Sequence, residues 1–72
     1  MKMYERIHNL REDRDMSQKE MAQILHVAQT TYSDYELGKI NIPVEVLKAL
    51  ARFHETSIDY LLEMTDEKHP YP

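Results

Sequence analysis

The chain has 72 residues, no cysteine, and a formal net charge of −4 from 9 Lys and Arg against 13 Asp and Glu. That length holds one domain and excludes an enclosed catalytic cleft on top of a core. The missing cysteines exclude disulfides and thiolate metal sites, and no apolar run is long enough for a membrane span or a signal peptide, so a cytoplasmic protein held by its own core is expected. The acidity is uneven. Residues 1–42 carry six basic and seven acidic groups, and residues 43–72 carry three basic and six acidic. Net charge argues against a nucleic-acid partner, but the local balance of the first part permits one.

One glycine and three prolines interrupt the chain, and no strand-like alternation is present, so the fold is expected to be all-α. Met3, Ile7 and Leu10 fall on one face of a first helix, with Arg14 continuing the row and Tyr4 and Arg11 beside it. In "MSQKEM", Ser17 and Glu20 form a capping box, and Met16 and Met21 occupy the hydrophobic-staple positions. The second helix runs to about Leu25 and offers Met21, Ala22, Ile24 and Leu25 to the core. After a tight connection at His26 and Val27, a third helix spans about residues 28–37 and stops at Gly38. Pro43 suits the first position of a fourth helix, where its missing N–H is unneeded. Val44, Leu47, Leu50, Ala51 and His54 follow at helical spacing. "TSID" opens a fifth helix that continues to about Leu62. Thr56 with Asp59 makes a second capping-box pattern, with Ser57 as the other candidate cap. Residues 1–64 therefore read as one domain, and residues 65–72 as a loose polar tail.

The third helix carries the functional signal. At about 100° per residue, Tyr32 and Tyr35 group with Ala28 on a core-facing side, while Thr30, Ser33, Asp34 and Leu37 point outward, flanked by Gln29 and Thr31. Glu36 lies on the inward side beside Tyr32, where a carboxylate needs a partner. Arg11 and Arg14 are the cationic candidates. Two short helices, a tight turn, and a second helix showing Gln and Thr at its amino end describe a helix-turn-helix. Gln can bond adenine bidentately, and Thr can bond a base edge or touch the thymine methyl. The competing reading is the solvated face of a small helical bundle.

"SQKEMAQILHVAQTTYSDYELGK" resembles the helix-turn-helix of the phage-repressor family (Cro/repressor-type, or xenobiotic-response-element). The shared features are Ser-Gln opening the first motif helix, Ala22 at the helix contact, Val27 after the turn, Gln29 opening the second helix, and the Glu36–Gly38 ending. "IPVEVLKALARFHETSIDYLL" is similar to the fourth and fifth helices of stand-alone bacterial members. The resemblance covers roughly residues 3–63 and implies a five-helix lambda-repressor-like DNA-binding domain, with the motif formed by helices two and three.

Position by position, the resemblance implies that Gln29, Thr30 and Asp34 face bases. Gln18 contacts phosphate with Lys19 beside it, Thr31 and Ser33 reach the sugar-phosphate backbone, and Lys39 and Asn41 grip a phosphate after the recognition helix. It selects Arg11 as the structural partner of Glu36. The chain departs from the family pattern where Asp15 and His26 replace glycines, at positions implied to have positive φ. Ala28 replaces a serine cap, which should cost about 1 kcal/mol. Asp34 places a carboxylate on the DNA side, able to accept from cytosine N4 but repelling phosphate. Leu37 stands where a polar residue is common.

The remaining candidates are weaker. His8, His26, His54 and His69 are scattered without ligand spacing, so no metal is expected. Ser17 is explained by capping, and no glycine-rich phosphate loop is present, so no catalytic residue, cofactor or enzymatic activity is expected. On helix five, Ile58, Leu61 and Leu62 should pack inward, leaving Tyr60 and Met64 on the opposite face as a homodimer seam, with Tyr71 as an addition. The expected function is sequence-specific binding of double-stranded DNA by a small dimeric transcriptional regulator. A repressor is the simplest form, with no small-molecule effector and no membrane. The alternative is a protein-interaction module of the same shape, antitoxin-like or anti-repressor, with weak or no DNA binding.

Overall fold

Apolar side chains recurring at helical spacing, broken by short polar turns, give five helices in the computed structural model, which describes residues 4–69. Met3 and Tyr71 lie outside the described residues. The elements are α1 (Glu5–Asp13), α2 (Gln18–Leu25), α3 (Gln29–Leu37), α4 (Val44–Phe53) and α5 (Ile58–Leu61). Helix α3 packs on α2 and α1, while α5 packs on α1 and α4. Ile7, Leu10, Met21, Ala22, Leu25, Tyr32, Tyr35, Leu47, Leu50, Ala51 and Leu61 form a single core.

Helix starts follow local chemistry. Ser17 Oγ accepts from the Glu20 N–H at 3.0 Å, and Glu20 Oε1 accepts from the Ser17 N–H at 2.9 Å, which completes the capping box. Met21 is buried, and Met16 packs against the core beside it. At α5 the cap is Ser57, whose hydroxyl accepts from the Tyr60 N–H at 3.0 Å. Thr56 is used otherwise. Its N–H ends α4 on the Ala51 carbonyl, and its buried hydroxyl donates to the Lys68 carbonyl. Pro43 precedes α4 rather than opening it. Its ψ of 149° is extended, and its carbonyl accepts the N–H groups of Val46 and Leu47.

All five helices end the same way, with paired hydrogen bonds folding the chain back over the last turn. The residue in the left-handed conformation is Asp15 (φ 55°), His26 (59°), Gly38 (74°), Glu55 (55°) and Glu63 (61°) in turn. Gly38 alone adopts it without a Cβ penalty.

Three residues on the expected apolar faces are exposed. Ile24 is 42 % exposed, because it lies about 60° outside the arc that Met21, Leu25 and Ala22 occupy. Val44 is 61 % exposed at the first position of α4 although its angular face is right, while Val46 and Leu47 of the same turn pack on the core. Ala28 is exposed because it is the extended N-cap of α3 (φ −68°, ψ 150°) and not part of the helical wheel. Arg14 also turns outward, bonding the Phe53 carbonyl at 3.1 Å and covering the Phe53 ring.

Residues 65–69 have no helix, but they are tied down. Arg6 donates to the carbonyls of Tyr60 and Thr65, pairs with Asp66 at 3.0 Å, and stacks its guanidinium 4.2 Å from the Tyr60 ring centroid. With Thr56 holding Lys68, the segment lies against the domain instead of hanging loose.

Candidate nucleic-acid interface

Helices α2 and α3 are joined through His26, Val27 and Ala28. The left-handed His26 sends the chain back, with Val27 N–H on the Ala22 carbonyl at 3.0 Å. Helix α3 then carries two unlike faces. Tyr32 and Tyr35 are buried, and Glu36 is only 1 % exposed. Gln29 and Thr30 are exposed, while Thr31, Ser33 and Asp34 are half-exposed. Ala28 offers no side-chain acceptor, so the first turn of α3 has no side-chain cap. Its N–H groups and the positive end of the helix dipole stand open. Leu37 is 39 % exposed at the far end of α3. Lys39 and Asn41 are exposed beyond Gly38, and Lys19 is exposed near the start of α2.

The orientation of α3 is fixed by a polar cluster around Glu36. Arg11 Nε donates to Oε2 at 2.7 Å and Nη2 to Oε1 at 3.2 Å, while Nη1 holds the Met16 carbonyl at 2.8 Å. Gln18 Nε2 also donates to Oε1, at 3.2 Å, and His8 Nδ1 lies 3.0 Å from the same oxygen. One carboxylate thus joins α1, α2 and α3. The Glu36 carbonyl adds a further tie, accepting the Tyr4 N–H at 2.8 Å. Burial pushes the Glu36 carboxyl up. Arg11 above all, with the nearby Tyr32 hydroxyl, His8 and Gln18, outweighs it and holds the group at about 2. Burial and the Glu36 charge raise the Tyr32 phenol, whose oxygen meets no partner in hydrogen-bond geometry.

Gln18 therefore sits half-buried with its amide turned toward Glu36. Neither this bond nor the part of His8 was legible from the third helix alone. The signal for His8 was its position three residues before Arg11, which places both on one face of α1. On the other side of the molecule, α5 ends at Leu61 and Glu63 reverses the chain. Met64, 74 % exposed, is therefore beyond the helix rather than one turn along it from Tyr60. Tyr60 is half-buried beneath Arg6.

Among the described residues no group of three or more His, Asp or Glu is placed to hold a metal ion, and no helix is long and apolar enough to cross a membrane.

A two-helix motif with a short reversal and an anchored second helix defines a helix-turn-helix of lambda-repressor-like topology. The helix-turn-helix family model matches residues 7–61. The chain belongs to the helix-turn-helix family of transcriptional regulators related to Cro/repressor-like domains. It is 30 % identical over 66 residues to the uncharacterized HTH-type transcriptional regulator YobD of Bacillus subtilis (strain 168), covering 92 % of this chain and 59 % of that protein. It is 34 % identical over 62 residues to the HTH-type transcriptional activator BcrR of Enterococcus faecalis, covering 86 % of this chain and 30 % of that protein. The matched region thus falls short of the full length of both relatives. Family membership gives the chain the general fold of helix-turn-helix DNA-binding regulators.

Proposed function

We propose that the protein binds double-stranded DNA sequence-specifically and regulates transcription, most simply as a repressor that occupies a promoter. The observation that carries this reading is the contrast on α3, where Tyr32, Tyr35 and Glu36 anchor one face and Gln29 and Thr30 stand exposed at the amino end. In this reading α3 enters the major groove. Gln29, Thr30 and Asp34 read base edges, with Asp34 suited to a cytosine amine. Gln18, Lys19, Thr31, Ser33, Lys39 and Asn41 hold the backbone, which fixes register without reading sequence.

The protein acts as a homodimer in this reading. One recognition helix with few cations makes a weak contact, whereas a two-fold pair spaced about 34–36 Å apart meets successive major grooves. Met64 and the exposed part of Tyr60 supply the seam. The surplus negative charge of residues 43–72 is then carried away from the phosphates.

Selection of bound sequences from random duplexes, followed by a salt titration of the winner, tests the proposal. An enriched inverted repeat whose affinity falls steeply with salt supports it. A protein-interaction module is the second reading, favoured by the overall acidity and by Asp34 and Leu37 on the outward face. No enrichment, and no binding to duplex even in low salt, selects that module instead.

A further inference from the structure

Leu37 is an apolar side chain in the polar stripe of α3. At about 100° per residue it falls about 20° from Thr30, two turns earlier, and about 60° from Asp34. Thr30 and Leu37 are exposed and Asp34 is half-exposed, so the three share one outward face. At about 1.5 Å per residue the stripe from Thr30 to Leu37 is about 10.5 Å long, the height of about three base-pair steps. The place of Leu37 is fixed from both sides. One residue earlier, Glu36 is buried and held by Arg11 and Gln18. One residue later, Gly38 turns left-handed, and its N–H on the Tyr35 carbonyl at 3.1 Å, with the Lys39 N–H on the Asp34 carbonyl at 3.0 Å, closes the last turn.

The chemistry of this stripe selects what it can lie against. Phosphate oxygens need donors, which Leu37 lacks, and they repel the carboxylate of Asp34. A major-groove floor suits both side chains. Cytosine N4 is a donor for Asp34, and the thymine C5 methyl is an apolar group for Leu37. A leucine laid on that methyl takes apolar surface of both out of water.

We propose that Leu37 is a specificity-determining residue that reads a thymine C5 methyl in the major groove. This rests on the DNA-binding reading, and it assigns to base recognition a side chain that otherwise favours a protein-interaction face. Thymine is then selected at the Leu37 end of the stripe by an apolar contact, without a hydrogen bond.

Uracil in place of thymine removes the C5 methyl and leaves the Watson–Crick pair intact. In anisotropy titrations, the thymines of the selected half-site are replaced by uracil one at a time. At one of them the unaltered protein should bind about fourfold more weakly, the worth of one buried methyl. Leu37→Ala should weaken binding to the thymine duplex and lose the uracil effect at that position. Leu37→Met keeps an apolar side chain and should retain the effect. Thr30→Ser removes the other methyl of the stripe and should also leave the effect in place. Specific binding that no uracil weakens, a uracil effect that survives Leu37→Ala, or one that Leu37→Met or Thr30→Ser also abolishes, overturns the proposal and leaves the DNA-binding reading standing. No binding to any duplex, even in low salt, overturns both.

Discussion

Arg11→Ala tests the frame that orients α3. The change removes two donors from Glu36, at 2.7 and 3.2 Å, and a third from the Met16 carbonyl. Glu36 stays 1 % exposed in the native packing, left with Gln18 and the His8 ring. Breaking one side of a buried ion pair costs about 3–5 kcal/mol, because the stranded charge keeps its desolvation penalty. A domain this size has roughly 4–11 kcal/mol to lose, so the variant should be marginal or unfolded at physiological temperature. Urea unfolding followed by circular dichroism measures the loss, with the midpoint falling at constant slope. Arg11→Met combined with Glu36→Leu removes both charges and should recover most of it, since apolar replacement of a whole buried pair is often neutral or better. A loss below about 1 kcal/mol for Arg11→Ala, or no recovery in the double variant, would refute the reasoning.

His54 is 3 % exposed and neither ring nitrogen has a partner; burial, with Arg14 and Lys68, lowers it from 6.5 to about 4. Between those values the unfolded chain takes up a proton that the folded one refuses, so stability should fall on acidification by up to about 1.4 kcal/mol per pH unit. His54→Phe should remove that slope in denaturant melts. Glu36 is depressed instead, from 4.5 to about 2, so its contribution is whole above pH 4.5 and should drain away between there and pH 2. Glu55 sits at φ 55°, so Glu55→Gly should stabilise by about 0.5–1 kcal/mol in the same melts, the relieved Cβ strain exceeding the added entropy of the unfolded chain. Gln29→Ala should cost about 1–3 kcal/mol at its cognate base and relax preference there, while Lys39→Ala should weaken all duplexes alike and reduce the salt slope by about one; competition binding with single-base variants separates the two. Charged residues at both Tyr60 and Met64 should give a folded monomer by sedimentation with much weaker operator binding, and an unaltered protein that stays monomeric at high concentration would contradict that seam.

What was legible in the sequence was local. The Ser17–Glu20 box, the Gly38 stop and the burial of Tyr32 and Tyr35 depend on residues within a turn or two of each other. Glu36 announced a need for a partner through its place on the wheel, and the family resemblance separated Arg11 from Arg14, which in the fold turns out to Phe53. His8 and Gln18 were harder, because their common target is 28 and 18 residues away and nothing local marks it. Glu55 and Glu63 carry positive φ although glutamate is a poor signal for it. The returning hydrogen bonds over the preceding helix ends hold them there. Ile24 shows that an apolar residue off the buried arc is left outside, and Val44 that a residue on the right face can still be exposed.

The grip of Arg6 on Tyr60, Thr65 and Asp66 spans up to 60 residues of chain, and this sets an order of assembly. Helices α2 and α3 are neighbours in sequence and can meet early at low cost in loop closure. The four-residue α5 is too short to persist alone and must find α1 already in place. On a ribosome, which delivers the amino end first, α1 would wait with an unmatched face until the last turn had emerged. The helix-turn-helix pair therefore takes shape before the domain closes, and closure is a meeting of the two ends of the described chain.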